Sequence, residues 1–186
     1  MIVGILLAAG RGTRFGSHKL LHRMSDGTPM AVAALRNLAQ GVDRVVAVVR
    51  PDDHELIRLL QQEPARILPC SNAALGMGAS LACGVRDESE ADGWLVALSD
   101  MPYVPATVAR ALTDQLNAGA ALVAPTYQGQ RGHPVGFNRA FYAKLAALTG
   151  DRGARHLFDQ YGGQLRLIAV AEPGILRDID TPEDIA

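Results

Sequence analysis

Short apolar runs that alternate with helix-period stretches predict a three-layer α/β/α domain built on a mostly parallel, doubly wound sheet. Three observations carry this prediction. Ile2–Ala9 is almost continuously apolar, as a strand covered on both faces should be. A second apolar run, Trp94–Leu98, stops at Ser99-Asp100-Met101-Pro102, a strand end followed by turn residues. Between and beyond these runs, Pro29–Ala39 and Pro105–Asn117 repeat apolar residues at helical spacing.

The elements follow in order. Ile2–Ala9 is the first strand, Pro29–Ala39 the first helix and Arg44–Val49 the second strand. Pro51-Asp52-Asp53 opens a helix whose stripe is Leu56, Leu59 and Leu60. A short strand at Arg66–Cys70 leads into a helix at Met77–Arg86, and Trp94–Leu98 is a central strand. Pro105–Asn117 is helical and Ala120–Pro125 is a strand. Beyond it lie a segment at His133–Phe137, helices near Arg139–Leu148 and Gly153–Tyr161, and a strand at Leu165–Val170. Thr181-Pro182-Glu183-Asp184 reads as a helix start: Thr181 can cap, Pro182 suits the first position and Asp184 stands where a capping-box acid belongs. In such a Rossmann-like sheet, ligands sit at the carboxyl ends of strands. That rule marks three places: after Ala9, after Ser99 and around Asp178–Thr181.

Composition bounds the function. The 186 residues fit one domain, spanning 1–186, with 48% hydrophobic and 20% charged side chains. Eighteen basic against nineteen acidic residues leave a net charge of −1, with no block of like charge. Broad electrostatic binding to nucleic acid or to an anionic membrane is therefore not expected. A small anionic substrate needs only local positive groups and stays open. Cys70 and Cys83 form no CxxC pair and read as core thiols. The apolar start lacks a basic n-region and is too short to span a bilayer, so the expected compartment is the cytoplasm.

Gly10, Gly12 and Gly16 follow the first strand, interleaved with Arg11, Arg14 and Lys19. A loop without Cβ atoms can turn several amide N–H groups toward one anion, and the cations complete the match. The spacing is neither the Walker pattern nor GxGxxG, and these residue types alone fit a plain surface turn equally well. The whole string is more informative. Leu7–Gly16 (LAAGRGTRFG), followed by Lys19-Leu20-Leu21, resembles the N-terminal signature of the MobA-like nucleotidyltransferases. Four further segments agree in order: Asn72–Leu81 (NAALGMGASL), Ser99–Pro102, Arg131–Phe137 (RGHPVGF) with Gly150–Arg155 (GDRGAR), and Asp178–Asp184 (DIDTPED). The likeness is closest to the molybdenum cofactor cytidylyltransferases. Leu7-Ala8-Ala9-Gly10 replaces the LAGG of the guanylyl branch, and the GHP and GDxGAR segments belong to the cytidylyl side. Gly12, where serine is commoner, and Phe15, where methionine is usual, are departures.

The resemblance implies the nucleotide-diphospho-sugar transferase type of fold. It also implies attack by an acceptor phosphate on the α-phosphorus of CTP, with loss of pyrophosphate. The acceptor would be a phosphorylated pterin: molybdopterin or its molybdenum-loaded form. Such transfer needs in-line positioning and charge neutralisation rather than a protein nucleophile. Mg2+ would supply part of that, held by Asp100 and Asp180; alone, each aspartate reads equally as a turn former. Asp178, two residues before Asp180 on the same face of an extended segment, ranks behind it. Lys19 and Arg14 would meet the phosphates, and Leu7, Ala8, Ala9, Gly10 and Gly12 would present backbone to them. Asn72, Gly76 and Ser80 would line the nucleoside pocket, and His133 would touch the pterin or simply be satisfied within the fold. Two further readings stay open. One keeps the chemistry and changes base or acceptor, as in guanylyl transfer. The other is a non-catalytic carrier of the molybdenum cofactor. A molybdoenzyme or its cofactor-insertion chaperone would be the delivery partner.

Overall fold

All six residues of the first strand, β1 (Ile2–Leu7), are buried, and the strand lies inside the sheet rather than at its edge. The computed structural model describes residues 1–10, 15 and 18–185. β1 pairs in parallel with β2 (Arg44–Val49) on one side and β4 (Gly93–Leu98) on the other, with Val3 opposite both Arg44 and Trp94. β3 (Arg66–Pro69) extends the sheet in parallel beyond β2. Beyond β4 comes β7 (Val135–Asn138), which is antiparallel and separates β4 from β5 (Leu122–Tyr127). β6 (Gln130–Arg131) forms a hairpin with β5, and β8 (Leu165–Ala169) pairs with β5 in parallel.

The alternation of β1 sorts the two faces. Ile2 and Leu6 join a core with helices α1 (Met30–Ala39), α2 (His54–Leu60) and α4 (Ala106–Asn117). Val3, Ile5 and Leu7 join a second core with α3 (Met77–Asp87), α5 (Tyr142–Ala146) and α6 (Arg155–Gln160). Each fully buried aliphatic side chain here contributes roughly 1.5–3 kcal/mol. This is the three-layer α/β/α arrangement expected from the pattern.

Several boundaries differ from expectation for identifiable reasons. β1 ends at Leu7, although the Ala8 N–H still donates to the Val48 carbonyl at 2.9 Å. Pro51-Asp52 forms a turn, and α2 begins at His54 because the Asp53 carboxylate caps it through the Leu56 N–H at 3.3 Å. β5 starts at Leu122, not Ala120, because Gly119 at φ +90° closes α4 and the Ala120 N–H bonds back to the Gln115 carbonyl at 3.0 Å. The helix expected at Arg139–Leu148 is a 3₁₀ turn, Arg139–Phe141, running into α5. At 182–184 the expected helix is a single 3₁₀ turn, but its capping acid is real: Asp184 accepts from the Thr181 N–H at 2.7 Å and the Asp180 N–H at 2.9 Å.

Cys70 is buried, Cys83 is half-buried, and both are free thiols. Burial, reinforced by contact with Cys70, pushes the Cys83 thiol up to about 12, so it stays protonated and unreactive. Among the described residues no helix is long and apolar enough to cross a membrane.

Candidate active site

The carboxyl edge of the sheet gathers several of the residues singled out from the sequence. β1 leads into Ala8-Ala9-Gly10, and β4 leads into Ser99-Asp100. The two strand ends are tied together: the Ser99 N–H and hydroxyl both donate to the Leu7 carbonyl, at 3.2 and 2.8 Å. The segment holding Asp180 docks beside them through the Ile179 N–H, which donates to the Asp100 carbonyl at 3.0 Å. Ile179 is fully buried, so its side chain anchors the segment from below.

Lys19 begins a short 3₁₀ helix, Lys19–Leu21, and joins the two carboxylates. Its ammonium donates to Asp100 Oδ2 at 3.0 Å and to Asp180 Oδ1 at 3.1 Å. The Lys19 side chain is only 7% exposed, against 29% and 35% for the two aspartates. Burial would lower the Lys19 pKa, but the hydrogen bonds and charges of Asp100 and Asp180 outweigh it and hold the value above that of an ordinary lysine. The trio carries a formal charge of −1 (one cation and two anions). A triphosphate therefore meets net negative charge here unless a further cation joins.

The donor set fits a hard divalent ion. Asp100 and Asp180 place carboxylate oxygens around one point, that of the Lys19 nitrogen, and Mg2+ prefers one or two carboxylates with phosphate oxygens and water completing its shell. Among the described residues no third His, Cys, Asp or Glu completes an all-protein metal cage. Asp180 is the acid that meets Lys19, while Asp178 is exposed.

A cleft of about 410 Å³ opens beside this trio. Leu7, Ala9, Gly10, Lys19, Gly76, Ser80 and Asp100, all singled out from the sequence, line it. Ala8 is buried beneath. Asn72 is exposed and stands outside the lining; its carbonyl accepts the Leu75 N–H at 2.9 Å in the turn that leads to Gly76. His133 does not line this cleft. It borders a hollow of about 20 Å³ with Asn37, Met101, Val104 and Pro134, and its backbone N–H donates to the Ile175 carbonyl at 2.9 Å. Burial lowers the His133 pKa, Arg131 lowers it further, and Asp100 and Asp178 only partly oppose this. Arg14 and Gly12, with Arg11, lie outside the described residues.

The RGHP and GDRG stretches, 131–134 and 150–153, were expected to face the acceptor's phosphate together, and each rests on a different element. The first rests on the segment around Ile175, while the second packs on the start of α3, where the Gly78 N–H donates to the Gly150 carbonyl at 2.7 Å.

Among the polar lining residues, His18 and Arg50 were not anticipated, and Asp151 was expected only as part of the 150–153 stretch facing the acceptor. His18 Nε2 lies 2.8 Å from Asp53 Oδ1, and the Arg50 guanidinium approaches Asp53 Oδ2 at 3.7 Å. Asp53 thus caps α2, pairs with His18 and is almost fully buried. An acid before a helix was visible as a cap; its histidine partner, 35 positions earlier, left no local signal. Asp151 lay within the GDRGAR segment but had no separate cue.

Comparison with known proteins places this geometry in a family context. Residues 4–165 match the family described as the MobA-like NTP transferase domain. The purine catabolism protein PucB of Bacillus subtilis is 30% identical over 200 aligned positions, covering 98% of this chain and 93% of PucB. A molybdenum cofactor guanylyltransferase of Burkholderia ambifaria is 37% identical over 157 positions, covering 82% of this chain and 75% of that protein. The structure of Rv0371c from Mycobacterium tuberculosis superimposes with a TM-score of 0.86 at 26% identity, covering 99% of this chain and 95% of that one. Rv0371c has also been solved in complex with manganese.

Proposed function

The chain belongs to the MobA-like NTP transferase family, and on that premise we propose that it transfers CMP from CTP to a phosphorylated pterin of the molybdopterin type, releasing pyrophosphate. The observation that carries the reading is the meeting of Lys19 with Asp100 and Asp180 on the edge of a cleft large enough for a nucleotide. The Ala8-Ala9-Gly10 form of the loop and the GHP and GDxGAR segments support cytidylyl over guanylyl transfer.

In this reading Asp100 and Asp180 hold Mg2+, which when bound neutralises charge on the reacting phosphate oxygens. Lys19 turns its ammonium to the triphosphate, a compact charge on a flexible stem. Ala9 and Gly10 bring backbone close to the nucleotide without Cβ interference at residue 10, where a side chain would meet open space. The Gly76 and Ser80 wall packs against the nucleoside. No covalent protein intermediate is needed; the residues hold donor and acceptor in line. The working compartment is the cytoplasm, and the product passes to a molybdoenzyme or its insertion chaperone.

One observation favours a second reading. The guanylyltransferase relative is 37% identical over 82% of this chain, so GTP is the alternative donor. Pyrophosphate release across a grid of CTP, GTP, ATP and UTP, with and without molybdopterin and with Mg2+ varied, tests both. Acceptor-dependent release with CTP supports cytidylyl transfer. Release with GTP alone moves the protein to guanylyl transfer, and none with any pair removes the pterin acceptor.

A further inference from the structure

We propose that Asp151 is a base-reading residue: its carboxylate accepts a hydrogen bond from the exocyclic amino group of the nucleotide's base and turns away a base that presents a carbonyl there. The inference rests on the nucleotidyltransferase reading of the cleft.

The topology orients the nucleotide. Along the carboxyl edge the strand order is β4, β1, β2, β3, which puts Asp100 after the first of these and the Ala73–Gly76 turn after the last. Three strand spacings separate those ends, roughly 14 Å. With phosphates held near Lys19 and Asp100, the base extends toward Gly76, Met77 and Asp151. Beside a triphosphate an acid needs a cation between them, as Asp100 and Asp180 would have, whereas at the far end of the cleft an acid can meet the donors of a base directly.

The loop that carries Asp151 is built to hold it there. Gly150 and Gly153 adopt φ +68° and +53°, a region other residues enter at a cost, and Gly150 accepts the Gly78 N–H at 2.7 Å. Gly76 sits at φ +118°, and a Cβ on it would come within 2.0 Å of Asp151 Oδ1. The carboxylate therefore lies against the bare Cα of the cleft wall. Asp151 is exposed, lines the cleft, and makes no hydrogen bond or ion pair with any described residue. The neighbouring polar side chain of this wall, Ser80, is already engaged: its hydroxyl donates to the Gly76 carbonyl at 3.2 Å.

A carboxylate is an acceptor only. It pairs with the amino group of cytosine, or with the amino and imino donors of guanine, and it repels the O4 of uracil. Binding of magnesium nucleotides by calorimetry tests this with pairs that differ at the reading edge. Wild-type protein should bind CTP at least tenfold more tightly than UTP, the difference a charged hydrogen bond typically makes. D151N offers both donor and acceptor, so it should shrink that ratio to about threefold or less, and D151A should do the same. Neither should lower the melting temperature, since Asp151 has no partner to lose. An unchanged CTP/UTP ratio in the two variants overturns the proposal. So does a variant that instead loses discrimination between CTP and dCTP, which would assign Asp151 to the ribose. If GTP proves to be the donor, GTP and ITP, which lacks the amino group, replace the first pair: narrowing there supports Asp151 while the cytidylyl reading falls. Failure of wild-type protein to bind any nucleotide removes the transferase reading and this inference together.

Discussion

Replacing Lys19 by methionine keeps the length of the side chain and removes its charge, so it isolates what the ammonium contributes. In the resting cleft that ammonium bonds Asp100 and Asp180 at 3.0 and 3.1 Å. The aspartates are 29% and 35% exposed, so solvent screens the attraction, and the buried lysine also bears a desolvation cost. The net stability loss should be about 1 kcal/mol, a fall of roughly 2–4 °C in Tm for a chain of this size. Turnover is a different matter. A charge-assisted contact to a phosphate is worth roughly 1.5–3 kcal/mol in the transition state, which predicts a ten- to hundredfold loss in kcat/KM for pyrophosphate release. Lys144→Met is the control, because Lys144 stacks on Tyr161 at 5.2 Å and does not line the cleft. Near-normal kcat/KM in folded Lys19→Met protein, or an equal loss in the control, would refute the assignment of Lys19 to phosphate binding.

Other expectations concern the neighbouring carboxylates and His133. Asp100→Asn and Asp180→Asn should each reduce metal-dependent turnover at least a hundredfold while the fold survives, and Asp178→Asn should stay within about threefold; similar losses from all three would remove the distinction between Asp178 and Asp180. Asp53→Ala removes both the α2 cap and the partner of His18, and urea unfolding should show a loss of about 1–3 kcal/mol, with Asp53→Asn milder. A loss below about 0.5 kcal/mol would mean that the buried acid is dispensable. The folded value of His133 lies below its ordinary 6.5, so the unfolded chain takes up that proton more readily. Stability should fall as pH drops from about 7 through the ordinary histidine range, and His133→Gln should flatten that fall. An identical pH profile in the variant would show that other groups set it.

Much of the scaffold was legible because it follows from burial. β1 and β4 are apolar runs with no polar face to preserve, so their place inside a parallel sheet was readable residue by residue. The same logic located Asp100 at a strand end. The hairpin between β5 and β6 was not seen, since its two turn residues, Gln128 at φ 49° and Gly129 at φ 79°, lack the Asn-Gly or Asp-Gly signature. The antiparallel direction of β7 was open to a simple argument: only a short stretch separates Tyr127 from Val135, too little for the crossover that a parallel neighbour requires. Within the site, spacing alone left Asp178 and Asp180 equivalent, since both fall on one face of an extended segment, and it is the contact across the fold to Lys19 that distinguishes Asp180. His18 and Asp53 illustrate the same limit. Their contact joins the N-cap of α2, just past the end of β2, to the residue before Lys19, and no periodicity records it.

The way Asp180 reaches Lys19 sets the order in which the protein fails on heating. The two residues are 161 positions apart, and the strip bearing Asp180 is held by the buried Ile179 side chain, a backbone bond to Asp100, the ion pair with Lys19 and the stacking of Arg177 on Tyr103. Those contacts are few beside the paired strands, so peeling the strip away should cost less than unfolding the whole domain. Detachment would leave the eight strands paired and the spectroscopic signature of the fold intact, yet it would strip one carboxylate from the cleft. If Asp180 serves the chemistry proposed for it, activity should be lost first, and reversibly, on brief warming below the melting temperature, a loss that assays before and after cooling would reveal.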